Sequence, residues 1–289
     1  MKYYIVIPAH NEEAFIGRTL QSLADQTVQP EKVVIVNDHS IDKTAEIANA
    51  FVSNNATFNL VNISSESVHL PGSKVINAFS KGLETLDHDY DIIVKLDADL
   101  ILPDNYFETI IKIFEGDLTI GMAGGFAYIE KNGEWILENL TDKDHIRGAF
   151  KAYRKQCFKD IGGLKPAMGW DTVDELLAKF HGWKVVTDES LKVKHLKPTG
   201  AKYNKSARYK QGEAFYTLGY GFFISAIASA KLSFMKKQPL LFFDYMNGFL
   251  RAKSDKTKHL VNEEEAKFIR KYRFSKIKDK IFSLPKPRE

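Results

Sequence analysis

Several side chains in this sequence have the types and spacings that chemistry uses. Asp97-Ala98-Asp99 follows the apolar run Ile92-Ile93-Val94-Lys95-Leu96, so two carboxylates one residue apart stand at the end of a buried strand. Left alone they repel each other, and a hard divalent cation, Mg²⁺ or Mn²⁺ shared with the phosphates of a substrate, relieves that repulsion. The competing reading is a solvated loop with two surface acids. Asp38 closes a second apolar run in Val34-Ile35-Val36-Asn37-Asp38-His39-Ser40. There it serves either as a turn or capping residue or as an acceptor for the donors of a base or ribose. His195 lies two residues from Val193 and four from Leu191, with Lys192 and Lys194 on the other face. Period-two alternation turns it inward, where it is a core histidine held by one hydrogen bond or, if Asp97 and Asp99 are near, a metal ligand. Asp171, Asp174 and Glu175 begin a helical pattern after Gly169-Trp170. Acids in a first turn meet the helix dipole favourably, and Asp171 at the start is best placed to face a cleft as a general base.

The elements that must position these groups alternate. Tyr3–Ile7, Val33–Val36, Phe58–Ile63 and Ile92–Leu96 read as strands. Between them lie helical patterns: one carrying Phe15, Ile16, Leu20 and Leu23, then Ile41–Phe51 and Lys74–Leu86. Such alternation predicts βαβ units, hence an α/β chain built on a mostly parallel sheet flanked by helices. Ligands of such sheets bind beyond the carboxyl ends of the strands. That is where His10-Asn11-Glu12, Asn37-Asp38 and Asp97-Ala98-Asp99 fall. Further along, Leu118–Ile129, Lys184–Thr187 and Leu191–His195 read as strands and Asp174–His181 as a helix. Residues 192–210 then hold seven Lys or Arg and no acid, and Ala214–Ala230 runs 17 residues without a charge.

The chain has 289 residues, 44% of them hydrophobic and 27% charged, which excludes a disordered or fibrous protein. The single cysteine, Cys157, excludes an intrachain disulfide and a cysteine zinc cluster, and a reducing compartment suits it. The start of the chain turns polar by His10, too early for a secretory signal, so a cytosolic protein is expected. The net charge of +4 is unevenly held: residues 1–250 carry net −3 and residues 251–289 net +7. Glu263-Glu264-Glu265 interrupts the basic tail, and no nucleic-acid-binding motif accompanies it. No nucleic-acid partner is expected.

In order along residues 3–200, the pieces are Val6-Ile7-Pro8-Ala9-His10-Asn11-Glu12-Glu13, Val36–Thr44, Lys74 with Asn77, Lys95-Leu96-Asp97-Ala98-Asp99, Cys157–Leu164, Gly169-Trp170-Asp171 and Gly182-Trp183-Lys184-Val185. In this order the chain resembles a family 2 glycosyltransferase with the nucleotide-diphospho-sugar transferase (GT-A) fold, a Rossmann-like sheet with helices around it. The resemblance implies a metal-dependent, inverting transfer of one sugar from a nucleoside diphosphate, UDP favoured, to a saccharide or lipid-linked acceptor. It implies that Pro8, Asn11 and Glu12 line the nucleotide pocket, that Asp38 holds the base, and that Lys74, where the family commonly has arginine, lies near base or phosphate. Asp99 would bind Mg²⁺ or Mn²⁺ with His195 as a further ligand, and Asp97 would sit nearer the ribose. Asp171 matches the second letter of the family's Glu-Asp base motif. Trp170 replaces the first letter and would bound an acceptor pocket, and the choice of base between Asp171 and Asp174 stays open.

The same resemblance divides the chain into a catalytic domain at 1–200 (nucleotide-sugar half 1–100, acceptor half 101–200) and a helical, aromatic-rich, basic extension at 201–289. No Gln-x-x-Arg-Trp motif of processive synthases follows residue 200, so single additions in cell-envelope polysaccharide or glycolipid synthesis are expected. A Rossmann dehydrogenase is disfavoured because no Gly-x-Gly-x-x-Gly follows the first strand. A nucleotidyltransferase would need a glycine-rich basic loop there, and the loop is acidic. A catalytically silent nucleotide-sugar-binding or scaffold protein on the same fold is the alternative outside catalysis. For the extension three arrangements compete: helices packed on protein, a membrane-spanning segment, and a monotopic surface on the cytosolic membrane face.

Overall fold

The structure is a computed structural model that describes residues 1–64, 72–138, 144–197 and 207–282. It divides into two compact units, Met1–Ala201 and Lys202–Glu289.

The first unit is built on the sheet. Strand β1 (Tyr3–Ala9) is buried along its whole length, as an apolar run between neighbours on both edges requires. Helix α1 (Ile16–Ala24) follows, then β2 (Lys32–Asp38), α2 (Thr44–Val52), β3 (Phe58–Ile63), α3 (Ser73–Glu84) and β4 (Ile92–Leu96). These four strands pair in parallel in the order β3-β2-β1-β4. Beyond β4 come β5 (Leu100–Ile101), α4 (Tyr106–Gly116), β6 (Ile120–Lys131), β7 (Glu134–Leu137), β8 (Phe150–Arg154), α5 (Lys155–Asp160), α6 (Trp170–Phe180) and β9 (Lys184–His195). The sheet continues β4-β8-β6-β9-β5, with β8 antiparallel to both neighbours, β9 parallel to β6 and antiparallel to β5, and β7 on β6. The parallel expectation therefore holds for the first four strands, and the second half is mixed.

Three boundaries move for local reasons. Helix α2 starts at Thr44, not Ile41, because Asp42 Oδ1 accepts from the Thr44 backbone N–H (3.0 Å) and hydroxyl (2.5 Å), and this side-chain turn occupies the preceding residues. Helix α6 starts at Trp170, four residues before the predicted start, because Gly169 at φ 83° supplies the left-handed residue that turns the chain into it. The two strands expected at 184–187 and 191–195 are one strand, β9, whose pairing with β6 shifts register between Gly124 and Phe126. Cys157 is buried, and burial pushes its thiol up to about 12.

The second unit is helical: α7 (Ala207–Thr217), α8 (Gly221–Met235), α9 (Leu241–Ser254) and α10 (Glu263–Phe282). The uncharged run Ala214–Ala230 is broken by Gly219 and Gly221, both at positive φ, into the end of α7 and most of α8. Among the described residues no helix is long and apolar enough to cross a membrane. Helices α7 and α9 pack backbone to backbone. A Cβ on Gly212 would lie 1.7 Å from the Tyr245 carbonyl oxygen, and one on Gly248 2.0 Å from that of Tyr209.

Candidate functional site

The loops after β1 and β2 are laced together by side chains. Asn11, at φ 56°, donates its backbone N–H to Ser40 Oγ (3.0 Å) and accepts the Ile41 N–H on Oδ1 (2.9 Å). The Glu12 N–H donates to Thr44 Oγ1 (2.7 Å), and Glu13 Oε2 accepts the Lys43 N–H (2.9 Å). His10 Nδ1 lies 2.6 Å from the Asp38 carbonyl oxygen, which can only accept, so Nδ1 carries the proton. Much of the two motifs at 6–13 and 36–44 thus fixes one loop against the other.

Beneath these loops, at the carboxyl ends of β1, β2 and β4, is a cleft of about 280 Å³ whose lining includes Pro8, Glu12, Asp38, Lys74, Asp97 and Asp99. Asn11 is not part of that lining: it is exposed and its amide is committed to the lacing. His10, which the sequence places at the ligand end of β1 without a role of its own, lines the cleft and bonds the Asp38 backbone.

The acids in the cleft have distinct partners. Asp97 is paired with the buried Lys95 ammonium, which also donates to the Gly148 carbonyl (2.9 Å). Glu12 Oε1 accepts from Lys197 Nζ (2.7 Å), while Oε2 is buried without a partner. Burial raises the Glu12 carboxyl above its ordinary value, against the pull of Lys197. Asp99 Oδ2 lies 3.5 Å from His195 Nε2, and Asp99 Oδ1 is buried without a partner. His195 faces inward as the alternation predicts, and Glu138 Oε2 lies 3.3 Å from its Nδ1 and 3.0 Å from Arg147. Burial alone would depress the imidazole, but hydrogen bonds and charge from Asp99 and Glu138 outweigh it and raise its pKa to about 9.

These residues suit a divalent cation in part. An orphaned carboxylate oxygen inside a cleft is a costly thing to bury unless something pairs with it, and oxygen donors suit Mg²⁺ or Mn²⁺. Among the described residues no three His, Cys, Asp or Glu side chains converge as a complete cage. An ion held by Asp99, with His195 beside it, would therefore take its remaining ligands from a substrate or water.

A second cluster surrounds the start of α6. Lys95 and Lys151 stand directly opposite on β4 and β8, both buried, with their ammoniums 5.2 and 5.9 Å from the Trp170 ring. Trp170 is itself buried and packs against both lysines. Gly148 permits this approach, since a Cβ there would meet Trp170 Cζ2 at 2.8 Å and Asp171 Cβ at 3.0 Å. Lys151 Nζ donates to the Asp171 carbonyl, to both oxygens of Asp174 (2.9 and 3.0 Å) and to Glu175 Oε1 (3.1 Å). The Tyr153 hydroxyl donates to Asp174 Oδ2 (2.6 Å). Glu175 Oε1 also accepts the Ile146 N–H and lies 3.1 Å from His145 Nδ1.

Burial pushes the Glu175 carboxyl up, but Lys151 and His145 outweigh it and bring it to about 2. Asp174 is held above its ordinary value, by burial first and by neighbouring Glu175. Asp171 differs from both: its side chain is 37% exposed, with His145 Nε2 3.9 Å from Oδ2. Asp174 is 1% exposed, with both oxygens occupied. The lysines of this cluster were given no role from the sequence, although Lys95 inside Ile92–Leu96 was a signal, because a buried ammonium needs carboxylate partners.

A profile of Glycosyl transferase family 2 matches residues 4–165. The O-antigen chain rhamnosyltransferase RfbN of Salmonella typhimurium is 24% identical over 188 residues, covering 57% of this chain and 56% of RfbN. The chain spans smaller shares, 19% and 41%, of other curated relatives. Among solved structures, the mannosyltransferase PcManGT of Pyrobaculum calidifontis, in complex with GDP-Man and Mn²⁺, superimposes with a TM-score of 0.58 at 15% identity, covering 99% of this chain and 81% of that one. Residues 1–349 of Staphylococcus aureus TarS, in complex with UDP-GlcNAc, give 0.57 at 19% identity, covering 80% and 67%. The fold is thus that of the GT-A transferases, and with more than half its length inside the profile, the chain belongs to glycosyl transferase family 2.

Proposed function

We propose that the protein is a non-processive, inverting glycosyltransferase that moves one sugar from a nucleoside diphosphate to an acceptor hydroxyl with the help of Mg²⁺ or Mn²⁺. The observation that carries this reading is the orphaned, buried Asp99 Oδ1 in a cleft at the carboxyl ends of parallel strands. Asp99, with His195 beside the same carboxylate, would hold the ion, which when bound offsets charge on the diphosphate leaving group. Asp38 accepts from the base, Asp97 held by Lys95 accepts from the ribose, and Pro8, Glu12 and Lys74 shape the pocket, with the Lys74 ammonium attracting phosphate. Asp171 takes the acceptor's proton as the acceptor oxygen attacks the anomeric carbon opposite the diphosphate. One displacement inverts the centre. The exposure of Asp171 supports it over Asp174, whose oxygens are already engaged.

Uridine diphosphate sugars are the first donors to try, and GDP-mannose the next, since structural neighbours were solved with UDP-GlcNAc and GDP-Man. RfbN, an O-antigen chain enzyme, supports a saccharide or lipid-linked acceptor of an envelope polymer. We assign catalysis to residues 1–200, the donor half being 1–100, and place the protein in the cytosol with its basic extension, 201–289, against the cytosolic membrane face. The test is diphosphate release from a panel of nucleotide-sugars with Mn²⁺, then the anomeric configuration of the product by NMR. The expected result is EDTA-sensitive release, abolished in Asp99→Ala, with an inverted product. A retained configuration, full activity in EDTA, or no release from any donor overturns the reading.

A further inference from the structure

Helix α8 is inside out for a water-facing helix. Amphipathic helices of soluble domains bury their apolar stripe and expose the polar one. In α8 the buried residues are Ile224, Ser225, Ser229 and Ser233, three of them serines, and the exposed residues include Phe222, Phe223, Ile227, Phe234 and Met235, with Lys231 among them. Phe223 and Phe234 are 82% and 86% exposed. The spacing 223, 227, 234 is that of one helical face, so these side chains form a stripe. The serines need no water. Ser225 Oγ donates to the Gly221 carbonyl and Ser233 Oγ to that of Ser229, each at 2.7 Å, and Ser229 Oγ lies 3.6 Å from Met246 Sδ of α9. Small hydroxyl residues that satisfy themselves on their own helix, packed inward while aromatics face out, are how helices pack in lipid.

We propose that the exposed face of α8, with Phe243 of α9 (67% exposed), inserts into the interfacial layer of an anionic bilayer and lies in its plane. Fifteen residues make about 22 Å of helix, short of the roughly 30 Å hydrocarbon core, so the helix rests in the surface and does not cross it. Charge selects the occupant. Lys231, Lys236 and Lys237 are exposed at the C-terminal end of this helix, and residues 251–289 carry net +7. Anionic headgroups complement these lysines, and the net charge of the tail adds to the attraction. A second copy of the chain would present the same lysines back across a symmetric interface.

This inference rests on the reading that the protein works at a membrane face, and it names the element that makes the contact. The probe is flotation of the full chain with phosphatidylcholine vesicles containing about a third phosphatidylglycerol. Three proteins are compared: wild type, Phe223→Ser/Phe234→Ser, and Lys236→Glu/Lys237→Glu. The expected result is wild-type flotation at low salt, at least about tenfold weaker partitioning of the phenylalanine variant at every salt concentration, and selective loss of the anionic-lipid preference in the lysine variant. Both substituted phenylalanines face outward, and matching circular dichroism and melting curves exclude misfolding. Wild-type flotation with an unaffected phenylalanine variant overturns the role of α8 and leaves contact through the basic extension standing. No flotation of wild type overturns both. A wild-type dimer in sedimentation that the phenylalanine substitutions dissociate, with no flotation, assigns the face to a second copy instead.

Discussion

Replacing Lys151 by methionine should destabilise the first unit by an amount that depends on pH in a defined direction. The ammonium is buried between Asp174 and Glu175, and its removal leaves two buried carboxylates with Tyr153, His145 and backbone donors as their remaining partners. Removing one partner of a buried pair typically costs about 3–5 kcal/mol. A second route gives a similar figure. Glu175 is held at about 2 against an ordinary 4.5, which at 1.36 kcal/mol per unit is about 3 kcal/mol, with Lys151 the largest of several contributors to the lowering and His145 the next. Because the folded value is depressed, that stability is fully present above pH 4.5 and is lost as pH falls toward 2. In Lys151→Met the largest depressing charge is gone and His145 remains, so Glu175 and Asp174 take up protons at higher pH than in the wild type. The variant therefore recovers relative to wild type as pH drops. Melting at pH 7 should show a loss of about 10 °C, and the gap should narrow by pH 5. Adding Asp174→Asn, which removes one stranded charge and keeps an acceptor for Tyr153, should return part of the loss. Equal melting of Lys151→Met and wild type at pH 7, or a gap that does not change with pH, would refute the reasoning.

Asp171→Asn is expected to lower kcat by about 10²–10⁴-fold with an unchanged melting temperature, whereas Asp174→Asn should lower the melting temperature first; if only Asp174→Asn abolishes turnover, the base is misassigned. Gly212→Ala should unfold or loosen the second unit, because its Cβ would sit 1.7 Å from the Tyr245 carbonyl oxygen, while Gly116→Ala, with nothing within 4 Å of its Cβ, should be tolerated. Hydrogen exchange in α7 and α9 separates the two, and equal protection in both variants would contradict the close approach. Mn²⁺ with UDP should raise the melting temperature of wild type and not of Asp99→Ala, and an equal shift in both would move the metal away from Asp99.

The strands at Tyr3–Ile7 and Val33–Val36 stand where the apolar runs put them, because a buried parallel strand advertises itself as an unbroken apolar segment. The position of the acids beyond those strands was legible for the same reason, and so was the inward turn of His195. What escaped notice depends on partners far away in the chain. Nothing local to Lys151 says that Asp174 and Glu175 will close on it across 23 and 24 residues. Nothing near Asn11 says that its amide will bond the backbone at Ile41 rather than line the cleft. The packing of Trp170 against Lys95 and Lys151 was not legible, because those lysines come from two strands that only the fold sets side by side. The inverted polarity of α8 was hidden because composition counts aromatics without saying which face they take.

The solitary cysteine makes the chain a ready scaffold for site-directed labelling. With its thiol pushed up to about 12, Cys157 stays protonated at pH 7, and its sulfur is enclosed in the core beside the backbone of Gly121. A maleimide or spin label would therefore pass over the native protein and modify only a cysteine introduced elsewhere, with no need to replace Cys157. Ile41, 85% exposed in the first unit, and Phe223 in the second are suitable positions. A probe at Phe223→Cys would report immersion in lipid through its polarity or accessibility to a quencher, and a pair of probes at both positions would measure the separation of the two units in solution.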